Sequence, residues 1–250
     1  MAGHSHWARI KHKKAVVDSR RGRLWSKLAR RIIVAARSGG GDPDQNLALR
    51  YAIDKAKEAN MPKDTIEKAI KRGAGGLEGA TFEEVVYEGY GPSGVAVMAH
   101  GLTDNRNRTA GEVRKIFERN GGNLGPSNCV AFQFTRKGLF AVSVDAMAED
   151  QVMELAIAGE GDYRLDGNTW EITCDPSRFE QVKAALAAAG AKTESAELTM
   201  MPATTITVDA EDGRRLLRLI EELEEHDDIQ SVFSNFDIPE EVMSGTARDD

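Results

Sequence analysis

The stretch from Leu139 to Leu198, LFAVSVDAMAEDQVMELAIAGEGDYRLDGNTWEITCDPSRFEQVKAALAAAGAKTESAEL, decides the fold. Strand-like and helix-like runs alternate along it. LFAVSV (139–144) predicts a strand and Glu149 to Ala158 a helix. YRLDG and TWEITC (169–174) predict a strand pair, Ser177 to Ala189 a second helix, and KTESAEL (192–198) a last strand. The order is βαββαβ, which predicts a ferredoxin-like module. KGLFAVSV (137–144) is a false trail: an RNA-binding sheet stacks bases on several aromatics of its third strand, and this segment has one, on the first.

Working outward, VAVMAHG (95–101), a helix from Arg106 to Arg119 and CVAFQF (129–134) predict one βαβ unit. TTITVD (204–209), a helix from Glu211 to Glu225 and IQSVFSNF (229–236) predict another. Brought together, the two outer units would repeat the inner topology. The expectation is an α+β protein: an N-terminal three-helix domain, then two ferredoxin-like domains, one inserted within the other. The predicted boundaries are 1–75 for the helical domain, 80–136 with 203–238 for the discontinuous domain, 137–202 for the insert and 239–250 for a polar tail. GYGPSG (89–94) lacks the Gly-Lys-Ser/Thr of a phosphate loop and reads as a tight turn between strands. GAGGLEG (73–79) reads as a hinge.

The helical domain carries the charge signal. From Arg23 to Arg37, Leu24, Trp25, Leu28, Ala29, Ile32, Ile33, Ala35 and Ala36 share one half of a helical wheel, and the cations fill the other half. Ser38 and three glycines end that helix. A second, about 44–59, packs through Leu47, Ala48, Ala52, Ile53 and Ala56, and Pro62 opens a third that closes at Gly73. Residues 1–75 hold 18 Lys and Arg against 7 Asp and Glu, whereas the other 175 hold 15 against 33, in a chain of net charge −7. A strongly positive module at one end of an acidic body is expected to meet a polyanion.

The candidate nucleic-acid-binding residues are Lys11, Lys13, Lys14, Arg20, Arg21, Arg23, Lys27, Arg30, Arg31 and Arg37. Arg106 and Arg108 add a second candidate contact, beside a helix start that Asp104, Asn105 or Asn107 can cap. His4, His6 and His12 have no Cys or carboxylate nearby to complete a metal shell, so no metal or cofactor is expected. Cys129 and Cys174, 45 positions apart, read as small core residues in a reducing compartment. No apolar run is long enough to span a membrane, and a secretory leader is not evident; a cytoplasmic protein without a membrane partner is expected. The hydrolase and metalloprotease signatures are absent, and the Glu221, Glu222, Glu224 and Glu225 cluster reads as a solvated face, so neither catalysis nor a small-molecule substrate is expected.

Three long motifs carry a family resemblance: AGHSHWARIKHKK at the start, LARRIIVAARSGGGDPDQNLALRYAIDKAKEANMPKDTIEKAIKRG, and YEGYGPSGVAV with TDNRNRT and VRKIFERNGGNLG. Together, in this order, they span nearly the whole chain, which resembles the YebC/PmpR family. The resemblance implies a helical domain followed by two α+β domains. It implies regulation of gene expression, since bacterial members are described as probable DNA-binding transcriptional regulators, and relatives activate the mitochondrial translation of cytochrome c oxidase. DNA, ribosomal RNA and a ribosome contact are the partners it implies.

Overall fold

The computed structural model describes residues 18–75 and 82–237, with side chains from Gly22 onward in the first stretch. Among the described residues three helices come first, α1 (Asp18–Gly39), α2 (Leu47–Glu58) and α3 (Lys63–Ala74). There follow β1 (Glu83–Tyr90), β2 (Ala96–Thr103), α4 (Arg106–Arg119), β3 (Asn123–Leu124), β4 (Phe134–Ser143), α5 (Glu149–Ala158), β5 (Tyr163–Asp166) and β6 (Thr169–Cys174). The last elements are α6 (Phe179–Ala188), β7 (Thr193–Pro202), β8 (Ile206–Thr207), α7 (Ala210–Glu225), β9 (Ile229–Ser234) and β10 (Phe236–Asp237). The described chain forms two compact units: 18–75 with 82–130 and 209–234, and 131–208 with 235–237. Among the described residues no helix is long and apolar enough to cross a membrane.

In the first unit, the apolar stripe of α1 buries Leu28, Ile32, Ile33 and Ala36 against Leu49, Ala52, Ile53 and Ala56 of α2 and Ile66 and Ala69 of α3. Polar ties fix both ends of this bundle. The Trp25 indole donates to the Ala59 carbonyl at 3.1 Å, setting the start of α1 beside the end of α2. At the other end, buried Asn46 caps α2 by accepting from the Leu49 amide at 3.1 Å, while its own amide donates to the carbonyls of Ala35 and Gly40. One side chain thus satisfies orphan groups of two helix termini. α1 and α3 cross closely at Gly73, where a Cβ would stand 2.4 Å from the Ile33 carbonyl oxygen. Leu47 and Ala48, expected inside, are exposed, and Leu49 is buried instead. Leu47 and Ala48 fall on the side of α2 turned away from the stripe of Leu49, Ala52, Ile53 and Ala56.

The sheet of this unit has the order β3-β1-β2-β9, antiparallel throughout. Central β2 is buried along nearly its whole length, with α4 and α7 contributing Val113, Phe117, Leu216 and Leu219 to the core. The β1–β2 turn is the expected tight one, with Ser93 and Gly94 both at positive φ.

The second unit follows the predicted βαββαβ path. Its sheet order, β5-β6-β4-β7 and antiparallel, is ferredoxin-like, and Phe140 stacks on Phe179 of α6 at 4.8 Å. The first unit reaches an equivalent strand order by another path. Its second central strand is β1, supplied by a hairpin ahead of β2, and not TTITVD, of which only β8 is strand, paired in parallel with β10. Nor is CVAFQF a strand, apart from its last residue, Phe134, which opens β4. The Glu88 carboxylate accepts from the amides of Asn128 at 2.7 Å and Val130 at 2.9 Å, and the Tyr90 hydroxyl donates to the Cys129 carbonyl at 2.9 Å. Side chains have taken the groups a ladder would need. Cys174 is buried and Cys129 half-buried, and both are free thiols.

Candidate nucleic-acid interface

The polar half of α1 does not face outward along its whole length. Its middle is occupied by the acidic end of α7 and the turn that follows it. The Lys27 ammonium donates to the Glu224 carbonyl; burial lowers its pKa to about 8, and the charges of Glu224 and Asp227 only partly restore it. Arg30 donates to the Asp227 carbonyl at 2.9 Å and to the Asp228 carboxylate at 2.7 Å, with its guanidinium 5.3 Å from the centre of the Phe82 ring. These contacts tie the helical domain to the α+β domain that follows it.

Asp228 is the hub. Only 3% of it is exposed, yet its carboxylate also accepts from Arg108 at 2.7 Å, Thr109 at 2.7 Å and Thr103 at 3.0 Å. Burial pushes this carboxyl up, but the hydrogen bonds from Thr109, Arg108 and Thr103, with the Arg30 charge, outweigh it and hold the pKa at about 2. Arg108 also pairs with Asp104 at 2.8 Å, and its own pKa is raised by its bonds to Asp228 and Asp104. His226 approaches Glu112 at 2.9 Å and accepts the Asp228 amide at 3.1 Å. An open cleft of about 560 Å³ lies here, where Arg23, Arg30 and Arg108 are outnumbered by Asp104, Glu112, Glu225, Asp227 and Asp228. Such a lining repels a polyanion.

Three of the candidate cations are therefore engaged within the chain. Lys27, Arg30 and Arg108 spend their charge on carboxylates and carbonyls of the chain itself. Asn105 is the cap of α4, accepting the Arg108 amide at 3.1 Å, so one amide of that helix start is satisfied from within. Arg23 is exposed at the rim of the acid-lined cleft. Arg106 is exposed and lies 3.5 Å from Glu83. Arg31 and Arg37 are exposed on α1. Lys11, Lys13, Lys14 and the histidines His4, His6 and His12 lie outside the described residues, as do the side chains of Arg20 and Arg21.

Sequence reasoning passed over a second set of cations. Lys68, Lys71 and Arg72 are exposed on α3, opposite the side that buries Ile66 and Ala69. Lys71 and Arg72 occupy the last turn of α3 as Arg37 does that of α1. The two ends lie together: a Cβ on Gly41 would meet Ala74 at 2.9 Å, and one on Gly73 would meet Ala36 at 2.7 Å. The signal was present in the sequence, as three cations spaced three and four apart on the side away from the apolar stripe.

A helical domain ahead of two α+β domains, one set into the other, is the architecture of a family of regulatory proteins. The chain belongs to the TACO1/YebC family. Residues 5–76 match the model of the TACO1/YebC N-terminal domain, and residues 82–236 that of the second and third domains. A "Probable transcriptional regulatory protein" of Natranaerobius thermophilus is 52% identical over 247 residues, 97% of this chain and 99% of that one. One of the same name from Rubrobacter xylanophilus is 53% identical over 249 residues, 99% of this chain and all of its own. Among solved structures, a conserved hypothetical protein of Aquifex aeolicus matches with a TM-score of 0.82 at 50% identity, covering 94% of this chain and 97% of that one.

Proposed function

We propose that this chain is a non-catalytic regulator that binds duplex DNA through the helical domain and acts on transcription. The observation that carries the reading is the cationic end of the bundle, where Arg37 of α1 and Lys71 and Arg72 of α3 converge with no carboxylate in the last turn of either helix. Lys68 extends this surface along α3. Exposed Lys and Arg displace counterions from phosphates, and that release makes up most of a sequence-independent affinity. The names borne by relatives of about half identity support transcription as the level of action. Contacts of this kind set position along a duplex and read no bases.

The test is fluorescence anisotropy of the full chain with a labelled DNA duplex over a range of salt, beside a ribosomal RNA fragment of equal length. The expected result is a log–log slope of about −3 or steeper, at roughly 0.9 per phosphate neutralised. A flat salt dependence would overturn the reading, and tighter binding to the ribosomal RNA would move the protein's work to translation.

A further inference from the structure

The second unit carries a surface that DNA binding does not use. Along α5, Met153 and Ile157 stand one turn apart and are 41% and 70% exposed, and Leu165 on the neighbouring strand β5 is 56% exposed. They lie on one flank. The sheet-facing side of α5 is set by Val152 and Ala156, both buried. Tyr163 of β5 donates its hydroxyl to Glu149 at 3.2 Å, so the side of the helix bearing Glu149, and one turn on Met153, is the side toward β5. Leu165 follows Tyr163 by two residues and points to the same face of the strand. Among the described residues β5 is moreover an edge, paired only with β6.

The charge around this apolar flank is mainly negative, and the one cation of β5, Arg164, is paired with Glu171. α5 presents Glu149, Asp150 and Glu154 and contains no Lys or Arg, and Asp166 closes β5. The bias extends to the whole insert, since residues 131–208 hold 12 Asp and Glu against 6 Lys and Arg. A nucleic acid or an anionic membrane would be repelled here. A cationic polypeptide would be drawn in, its apolar side chains covering Met153, Ile157 and Leu165 while its Lys and Arg meet the rim.

We propose that the flank of α5 facing β5 is a docking surface for a basic amphipathic segment of another protein. The surface belongs to a different unit from every cation proposed above for DNA, and a chain using both would join a nucleic acid to a basic protein.

The probe is a labelled synthetic helical peptide with Lys on one face and Leu on the other, titrated by anisotropy into the full chain. The expected result is salt-sensitive binding that weakens about tenfold or more in the double variant Ile157→Ser, Leu165→Thr. Both positions are exposed, so the variant should keep the parent's circular dichroism and melting temperature. Hydrogen exchange on the unaltered chain gives a reading independent of that variant, with peptide-induced protection expected within residues 149–166. Binding that is unchanged in the variant, equal affinity for the peptide with Glu in place of Lys, or protection confined elsewhere would each overturn the proposal. So would a dimer, seen by sedimentation, that the variant dissolves, because the occupant would then be a second copy.

Discussion

Two cationic regions of the helical domain look alike in composition and end in opposite circumstances. Lys27 and Arg30, in the middle of the polar face of α1, are held by the acidic stretch at 224–228. Arg37, Lys71 and Arg72, at the far ends of α1 and α3, remain exposed. The first region converts positive charge into a joint between domains, and the second leaves it available to a partner. A cation's presence on a helix says little about whom it serves, because its nearest counter-ion can come from almost 200 residues away, as Asp228 does for Arg30.

The contrast can be broken most forcefully at the hub. Asp228→Ala leaves Arg30, Arg108 and two threonines without their common acceptor, and removing one partner of a buried pair costs about 3–5 kcal/mol. The urea midpoint should fall accordingly, with DNA affinity unchanged wherever the variant is still folded. Gly73→Val comes next: its side chain meets the backbone of α1, where helix and carbonyl cannot yield cheaply, and overpacking of this kind costs about 1–3 kcal/mol in chemical denaturation.

The contrast is sharpened by reversing charge on one side at a time. Arg37→Glu, Lys71→Glu and Arg72→Glu together should flatten the salt slope of DNA binding by about 2–3, at roughly 0.9 for each phosphate no longer neutralised. Lys27→Gln with Arg30→Gln should leave that slope where it was and lower the melting temperature instead. An equal loss of slope from both sets would erase the distinction between joint and binding surface.

Smaller effects come from pH. Asp228, held at about 2 in the fold, contributes stability that is complete above the ordinary carboxylate value and is lost as pH falls toward 2. Lys27 acts in the same direction in a higher pH window. Its pKa is about 8 in the fold against 10.5 ordinarily, so between those values the unfolded chain binds more protons and stability rises with pH. Lys27→Met should remove that rise, measured as the difference in denaturation free energy between variant and parent across pH 8 to 10.5.

Much of the architecture was legible. The βαββαβ insert follows from alternating local periods, and the α1 stripe from Leu28 to Ala36 follows from helical spacing. The hairpin strand β1 was not, because EEVVYEGY carries three glutamates, and only the fold shows that Glu88 is buried to anchor the loop at 128–130. CVAFQF looked like a strand for the complementary reason: its apolar residues are real, but its backbone is engaged by Glu88 and Tyr90. The Lys68, Lys71 and Arg72 surface was readable and was overshadowed by the denser charge of α1.

The sequence by itself determined the helical bundle, the inserted ferredoxin-like module and the division of charge between a basic head and an acidic remainder, because each depends on the spacing of neighbours along the chain. Only the tertiary structure decided which cations are neutralised internally, since Arg30, Arg108 and Asp228 come from three separate stretches that the fold alone brings within hydrogen-bonding distance. Periodicity is written in local order; electrostatic pairing is settled by distance and burial, which a linear chain does not display.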